Sequence, residues 1–163
     1  MSRKKLVRFK ANEENPNVVQ EGKLIVEEIK GQWRARQFQN QYPLVVELAC
    51  GRGEFTVGLA RVFPHQNFIG VDIKGSRIWK GSSTATEEGL ENVAFLRTQI
   101  QLLDKFFDQG EIDELWITFP DPFPRDGDEK RRLTSDRFLD MYRPLLKSGG
   151  IVHFKTDNTG LFD

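Results

Sequence analysis

The chain has 163 residues, a length that suits one domain with a single substantial core. Its 24 basic and 24 acidic residues cancel, so the total charge does not indicate a polyanionic partner, and its hydrophobic content of 38% is that of an ordinary globular protein. A single cysteine, Cys50, excludes an internal disulfide framework, and no apolar run approaches membrane-spanning length. These features predict a cytoplasmic protein with no part in a membrane.

The N-terminal segment MSRKKLVRFK carries five basic side chains and no acid. Such a segment suits either a solvated tail or an arm that contacts phosphate groups. Residues 1–20 are expected to be polar and irregular, and residues 21–39 place apolar side chains at roughly helical spacing. We therefore predict an N-terminal arm and helix over residues 1–39, followed by a separate domain over residues 40–163.

From residue 43 onward, short apolar runs alternate with amphipathic segments. The runs predict strands over residues 43–48, 68–73, 93–97, 112–119 and 151–155. The intervening segments predict helices over residues 54–63, 76–88, 102–107 and 134–146. This alternation predicts an α/β fold with a doubly wound, mostly parallel sheet. Ligands of such sheets bind outside the carboxyl ends of the strands, so the residues that follow each strand are the candidate site.

The first predicted strand runs into a glycine-rich turn, VVELACGRGEF, in which Gly51 and Gly53 let the backbone approach a ligand closely. The G-x-G-x-x-G fingerprint of dinucleotide sites is incomplete, because its third glycine position holds Thr56. The alternative is an acid followed by small residues at alternate positions, Glu47-x-Ala49-x-Gly51-x-Gly53, which is the usual first motif of S-adenosylmethionine-dependent methyltransferases. A carboxylate suits the methionine ammonium of that cofactor, whereas a purely structural turn needs no ligand at all.

The second predicted strand ends at Asp72, about twenty residues beyond the glycine turn. An acid at this offset commonly accepts both ribose hydroxyls of an adenosine. The same position also suits an acid that interacts with the dipole of the following helix. Turn and acid together predict a site for an adenosyl cofactor.

The fourth predicted strand leads into FPDPFPRDGDEKRRL, where prolines flank Asp121 and restrict the backbone on both sides of it. This fixes the direction of a carboxylate where a substrate is expected. The basic residues beyond it, Arg125, Lys130, Arg131 and Arg132, suit phosphate groups, although a solvated charged turn is the simpler alternative. The fifth strand ends in a second polar cluster, FKTDN.

Four motifs in order, ELACGRGEF, IGVDIKGSRIWK, FPDPFPRDGDEKRRL and FKTDN, resemble the bacterial tRNA (guanine-N7-)-methyltransferases of the TrmB type. The first two motifs are generic to class I methyltransferases, and the last two are specific to this family. The resemblance implies a Rossmann-like class I methyltransferase fold, S-adenosylmethionine as cofactor, and methylation of a guanine in the variable loop of tRNA. It also favours the N-terminal segment as an RNA-contacting arm.

The resemblance also assigns roles to residues. It implies that Glu47 and Asp72 hold the cofactor and that Asp121 is the central active-site acid, placed against the cofactor. Gln99 falls near the position where family members carry an aspartate beside the adenine. Arg125 and Asp157 fall at positions where the family has a substrate-contacting lysine and a substrate-contacting aspartate.

The sequence departs from the family pattern in three places. Ala49 replaces a glycine, Phe123 replaces a tryptophan, and the family continues beyond this point with a Thr–Glu motif and the last strands of the sheet. We therefore expect C-terminal strands to be lacking and residues 151–154 to form an exposed apolar edge. A second copy of the chain, in a homodimer, or further chain would cover that edge.

Two other functions remain compatible with the residues. One is a methyltransferase for a small molecule, in which the basic run is simply solvated. The other is a non-catalytic chain that binds cofactor or RNA. His65 and His153 show no ligand spacing, so no metal site is predicted.

Overall fold

A computed structural model describes residues 2–119 and 136–156 of the chain. The helices in these ranges are α1 (Arg3–Glu14), α2 (Glu54–Val62), α3 (Gly75–Glu87) and α4 (Asp136–Tyr142). The strands are β1 (Val18–Gln20), β2 (Leu44–Leu48), β3 (Asn67–Asp72), β4 (Val93–Arg97), β5 (Ile112–Phe119) and β6 (Leu146–Thr156). Short 3-10 or π-helical turns lie at Leu24–Glu27, Trp33–Phe38, Ile100–Lys105 and Arg143–Leu145.

The six strands form one sheet in the order β1-β4-β3-β2-β5-β6, and all pairs are parallel. Along the chain, β3 and β4 are added on one side of β2, and β5 and β6 are added on the other. The strand order therefore reverses between β2 and β5. In open parallel sheets, the carboxyl ends of the strands beside such a reversal form the ligand-binding crevice.

Both faces of the sheet are covered, because successive side chains of each strand point to opposite faces. On one face Val45 and Phe68 pack with α2 and α3, whose buried positions include Val57 and Ile78. On the other face the sheet packs against a cluster formed by the turns and α4. That second cluster contains Ile29, Trp33, Leu103, Phe106, Phe107, Phe138 and Tyr142. The two-sided parallel sheet confirms the predicted α/β architecture with a doubly wound, mostly parallel sheet.

The N-terminal region differs from its predicted structure. The segment expected to be irregular forms α1 and the edge strand β1, which pairs with β4, while the segment expected to be helical forms only two short turns. Helix α1 has almost no apolar stripe, so its sequence gave no periodic signal. Its contacts with the rest of the fold are largely polar: Arg8 stacks over Trp79 at 4.6 Å, and Asn12 Nδ2 donates to the Gly75 carbonyl at 2.8 Å.

The last strand is longer than predicted. β6 begins at Leu146, five residues earlier than expected, and includes an irregular segment in which Gly149 adopts a φ of +81°. The register shifts between Ile112 and Glu114 of β5 absorb this segment. In the described part of the chain, β6 is the outermost strand on its side of the sheet, and Ile151 and Phe154 are about half exposed there.

The predicted helix at 102–107 is instead the 3-10 turn Ile100–Lys105. Helix α4 and the turn Arg143–Leu145 occupy the described part of the helix predicted at 134–146. Among residues 2–119 and 136–156, no helix is both long enough and apolar enough to cross a bilayer.

Candidate functional site

Two glycines in the loop after β2 adopt the left-handed backbone conformation. Gly51 and Gly53 have φ values of +59° and +76°. A Cβ on Gly53 would lie 2.6 Å from the ring of Phe95, so this glycine is required for the loop to pack on the sheet. A Cβ on Gly51 would meet nothing within 4 Å, so the loop is open to solvent at that point. Gly51 therefore provides the approach to a ligand, whereas Gly53 provides the packing.

Ala49 precedes these glycines and is itself left-handed, with a φ of +56°. This conformation costs an L-residue about 1–2 kcal/mol relative to glycine-like freedom. The sequence departs from the family pattern at this position, and the structure places the resulting Cβ on the wall of the cleft described below.

Asp72 ends β3 and holds the loop in place. Its Oδ2 accepts a hydrogen bond from the Gly51 N–H at 2.9 Å, and its Oδ1 accepts one from the Lys74 N–H, also at 2.9 Å. The side chain is 7% exposed. Since an ionised carboxylate offers about four acceptor positions, each oxygen keeps one for a ligand.

Glu47, near the end of β2, is 5% exposed and accepts a hydrogen bond from Thr56 Oγ1 at 2.6 Å. Thr56 lies in the first turn of α2, so this bond ties the strand to the helix across the glycine loop. The residue that breaks the dinucleotide fingerprint thus has a structural use: its hydroxyl orients the acid. Glu47 was predicted from the sequence as a site residue, whereas its hydrogen-bond partner Thr56 was not.

A cleft of about 580 Å³ opens where these elements meet. Both acids line it, and cations from three elements join them. Its wall is formed by Glu47, Ala49, Cys50, Gly51, Arg52, Glu54, Phe55, Asp72, Arg77 and Lys155. A neighbouring cavity of about 540 Å³ shares Ala49, Asp72 and Arg77 with the cleft and continues it toward the end of β4. We call the two together the strand-end cleft.

The β4 end of the strand-end cleft is less charged. Gln99 lies two residues beyond the end of β4. Its neighbours in the wall include Ile73, Ile100 and the largely buried Phe138. Thr98 donates its backbone N–H to the Asp72 carbonyl at 3.1 Å, which ties this end of the cleft to β3. A flat apolar group with polar edges would suit such a wall.

At the other end of the cleft, Phe55 and Lys155 of the wall adjoin a row of aromatic side chains on the α2 face of the sheet. Phe55 of α2 meets Trp116 of β5 edge-on at 4.7 Å, and Trp116 stacks on His153 of β6 at 4.1 Å. Lys155, also on β6, places its Nζ 3.7 Å from the centroid of the Phe55 ring. Lys155 belongs to the polar cluster FKTDN that was predicted at the end of the fifth strand, but its contact with Phe55 was not predicted, because that contact depends on the pairing between β5 and β6.

Cys50 lies in the cleft wall but is 9% exposed. Burial raises the pKa of its thiol well above the usual value, and the nearby carboxylates of Glu47 and Asp72 raise it further. The thiol is therefore neutral and unreactive at physiological pH.

The structure brings together Glu47, Gly51, Asp72 and Gln99 of the predicted site residues, with Gly53 supporting the loop. The wall also contains charged and aromatic side chains that were not among the predicted site residues, namely Arg52, Glu54, Phe55, Arg77 and Lys155. The remaining predicted site residues lie outside the described ranges; these are Asp121, Arg125, Lys130, Arg131, Arg132 and Asp157. Within the described ranges no group of three potential metal-ligating side chains occurs.

The family model and three curated relatives that match this chain are all methyltransferases. Residues 41–163 match a family model described as a putative methyltransferase. The whole chain is 53% identical to a tRNA (guanine-N(7)-)-methyltransferase of Cytophaga hutchinsonii, of which it covers 73%. It is 52% identical over 96% of its length to a protein of the same name from Christiangramia forsetii, of which it covers 72%. A third relative of that name, from Porphyromonas gingivalis, is 52% identical over 82% of the chain, which covers 54% of that relative.

Solved structures share the fold at lower identity. The antibiotic-resistance methyltransferase Kmr aligns over 76% of this chain and 67% of its own, with a TM-score of 0.57 and 20% identity. The Rickettsia typhi protein PKMT2, solved in complex with AdoHcy, aligns over 68% of this chain and 20% of its own, with a TM-score of 0.55 and 22% identity. At such identities the similarity establishes the architecture alone.

Proposed function

Because this chain belongs to the tRNA (guanine-N(7)-)-methyltransferase family, we propose that it transfers the methyl group of S-adenosylmethionine to N7 of a guanine in tRNA, in the variable loop. One observation carries the proposal beyond family membership. Two acids at neighbouring strand ends, Glu47 and Asp72, line one cleft beside an open glycine loop. That is the arrangement that a ligand with one ammonium and two ribose hydroxyls requires.

The residues present fit S-adenosylmethionine. Asp72 has one acceptor position left on each carboxylate oxygen, which matches two ribose hydroxyls. Glu47, oriented by Thr56, would accept from the methionine ammonium. The missing Cβ of Gly51 leaves room for the cofactor to pass close to the backbone.

The adenine would lie at the β4 end of the strand-end cleft. Ile100 and Phe138 offer apolar contacts to its faces, and the Gln99 side chain supplies both a donor and an acceptor for its edge. A glutamine here replaces the acid expected from the family pattern, so we infer a neutral hydrogen bond in place of a charge-assisted one. That contact is the weaker of the two kinds.

When bound, S-adenosylmethionine supplies an activated methyl group on its sulfonium sulfur. Guanine N7 has a lone pair and no proton, so the chain is not required to provide a general base. What its residues would contribute is position: Asp72, Glu47 and the loop would hold the cofactor where its methyl group can meet the entering base. The purine gains positive charge as its N7–C bond forms, and a carboxylate beside it would stabilise that charge.

We assign this carboxylate to Asp121, which lies two residues beyond the end of β5 in the sequence. β5 lies beside β2 and pairs Trp116 with Glu47, so the chain leaves β5 next to the cleft. Asp121 would accept hydrogen bonds from the guanine N1–H and amino group. Asp157, which follows β6, would contact the same substrate, and the basic residues after Asp121 would bind phosphates. These are Arg125, Lys130, Arg131 and Arg132.

The N-terminal helix would extend the RNA surface. In α1, Arg3, Lys4, Lys5 and Lys10 are exposed. Helix α1 contacts the start of α3 through Asn12 and the end of β4 through Phe9, which lies 5.3 Å from the Arg97 guanidinium. Its cations are therefore fixed beside the carboxyl ends of β3 and β4, where a tRNA that enters the cleft would pass.

Two further features complete the proposal. A second copy of the chain would cover the edge of β6, where Ile151 is 50% exposed, and so form a homodimer. A tRNA substrate and a single buried thiol both suit a cytoplasmic location.

The deciding experiment is a methyl-transfer assay with labelled S-adenosylmethionine and two tRNA transcripts, one normal and one in which every guanine is 7-deazaguanine. We expect label in the normal transcript only, since the other lacks N7. Replacement of Asp121 by alanine should abolish transfer and leave cofactor binding nearly unchanged. Equal labelling of both transcripts would refute the assignment to N7, and an active Asp121→Ala variant would refute the role of that acid.

A further inference from the structure

Lys155 of β6 is a cation in the strand-end cleft that the reaction described above does not use. Its Nζ lies 3.7 Å from the centroid of the Phe55 ring, and the side chain forms part of the cleft wall together with Glu47 and Gly51. A cation–π contact attracts the ammonium without neutralising it. Lys155 thus presents a positive charge to the cleft from a defined position.

The ring that supports Lys155 is itself fixed. Phe55 packs edge-on against Trp116, which stacks on His153 with an angle of 15° between the rings. His153 Nε2 in turn lies 3.4 Å from Glu114 Oε2. Because this row joins α2, β5 and β6, the Lys155 ammonium is held over the start of α2, directly after the glycine loop.

The order of the strands gives the cleft a direction. Gln99 follows β4, Asp72 ends β3 and Glu47 lies near the end of β2, which is also their order across the sheet. A cofactor whose ribose lies at Asp72 and whose adenine lies toward Gln99 must direct its amino-acid end past β2, toward β5 and β6. That end carries an ammonium and a carboxylate.

Among the described residues, three cations line the cleft, and each comes from a different element. Arg77 of α3 lines both cavities and so belongs to the adenosine end with Asp72. Arg52 lies in the loop itself, and its carbonyl packs on Gly81, where a Cβ would come within 2.8 Å. Lys155 is the cation that enters from the β6 side, opposite the adenosine end.

From this arrangement, and on the basis of the proposed function, we propose that Lys155 binds the carboxylate of the methionine part of S-adenosylmethionine, while Glu47 binds its ammonium. The two side chains would then recognise the amino acid as a zwitterion. A ligand that lacks the carboxylate should lose the contribution of Lys155 and keep that of Glu47.

Decarboxylated S-adenosylmethionine provides the test, since it keeps the adenosine, the sulfonium and the ammonium. Calorimetry on the wild-type protein should show that it binds about tenfold more weakly than S-adenosylmethionine. Lys155→Met should weaken S-adenosylmethionine by about the same factor and leave the decarboxylated compound unchanged. Lys155→Arg, which keeps the charge, should recover part of the loss.

Three controls make the result specific. Arg77→Met should weaken both compounds equally, because its place is at the adenosine end. Lys105→Met, which changes an exposed residue outside the cleft wall, should weaken neither. Phe55→Leu keeps the Lys155 ammonium but removes the aromatic ring beside it. This variant should show a smaller loss of affinity, again only for the ligand that carries a carboxylate.

Equal loss of both compounds in Lys155→Met, or no loss of either, would overturn the assignment. A carboxylate-selective loss in Arg52→Met instead would move the role to Arg52 and overturn it as well. Wild-type protein that binds neither compound would refute the proposed function itself. Protein that binds both compounds and methylates tRNA, but shows no selectivity at Lys155, would refute only this inference.

Discussion

Asp72 Oδ2 accepts a hydrogen bond from the Gly51 N–H at 2.9 Å and thereby joins the end of β3 to the glycine loop that follows β2. The second oxygen accepts from Lys74 at the start of α3. One buried carboxylate thus fixes both loops that border the adenosine end of the cleft. The acceptor positions of Asp72 that are not used by backbone N–H groups would accept hydrogen bonds from the cofactor.

The first prediction follows from this double use. Asp72→Asn keeps one acceptor oxygen, whereas Asp72→Ala removes both, so cofactor affinity should fall in the order wild type, Asn, Ala. We expect the alanine variant to lose about 1–3 kcal/mol of binding free energy, measured by calorimetry. Glu27→Ala, which changes an exposed acid in the turn Leu24–Glu27, is the matched control and should bind normally. An alanine variant with wild-type affinity would contradict the role of Asp72.

The second prediction concerns Ala49, whose φ of +56° is unfavourable for an L-residue. Ala49→Gly should relieve about 1–2 kcal/mol of strain and add about 0.5–1 kcal/mol of unfolded-state entropy, so the free energy of unfolding should stay level or rise slightly. Ala60→Gly is the contrast, because Ala60 is buried in helix α2 and has no such strain. That variant should lose about 1 kcal/mol or more in urea unfolding. Equal losses in the two variants would show that the strain at Ala49 is not significant.

Part of the candidate site could be predicted from the sequence, and part of it could not. Asp72 and Glu47 were predicted because they follow strands whose apolar runs are unmistakable, and strand ends of a parallel sheet converge by geometry. Lys155 was predicted only as part of the polar cluster FKTDN, and its place in the cleft wall was not, because that place depends on a register shift in β5–β6 pairing that an apolar run does not encode. Helix α1 was missed for a different reason: its contacts with α3 are hydrogen bonds and a cation–π pair, which leave no periodic apolar pattern.

The third prediction is a pH dependence that arises far from the cleft. Asp113 on β5 accepts from the Leu44 N–H at 2.7 Å, pairs with Lys147 at 2.9 Å and forms an ion pair with Arg34. Burial alone would raise the pKa of its carboxyl, but these hydrogen bonds and charges outweigh burial and lower it. A lowered folded-state pKa contributes stability that is complete above the unfolded pKa of about 4 and is lost as the pH falls through the folded value.

Asp113→Asn should therefore destabilise the protein by about 1–3 kcal/mol at neutral pH. It should also reduce the difference in unfolding free energy between about pH 5 and pH 3, because the titrating group is gone. Urea titrations of both proteins across this range measure the effect. Asp104→Asn, at an exposed acid, should leave the profile unchanged. A profile that keeps its full slope without the Asp113 carboxyl would refute the assignment.

The fourth prediction tests the edge of the sheet. If a second copy covers β6, then Ile151→Lys should shift the protein toward monomer in analytical ultracentrifugation, because a charge at an edge opposes strand pairing. Val62→Lys changes another exposed apolar side chain, at the end of α2, and should leave the association state unaltered. Monomeric wild-type protein at all concentrations would refute the homodimer.

The last prediction concerns the basic face of α1 and separates an RNA surface from a solvated tail. Each phosphate contact contributes a slope of about 0.7–0.9 to the dependence of log affinity on log salt concentration. Replacing Lys4 and Lys5 by glutamine should therefore weaken tRNA binding at low salt and reduce that slope by about 1–2, without a change in cofactor affinity. Lys30→Gln is the control, since Lys30 precedes Gly31, whose N–H donates to Glu111 just before β5, at the opposite end of the strands. It should keep the wild-type slope. If the double variant also keeps that slope, then α1 is a structural cover over α3 and the phosphates are bound elsewhere.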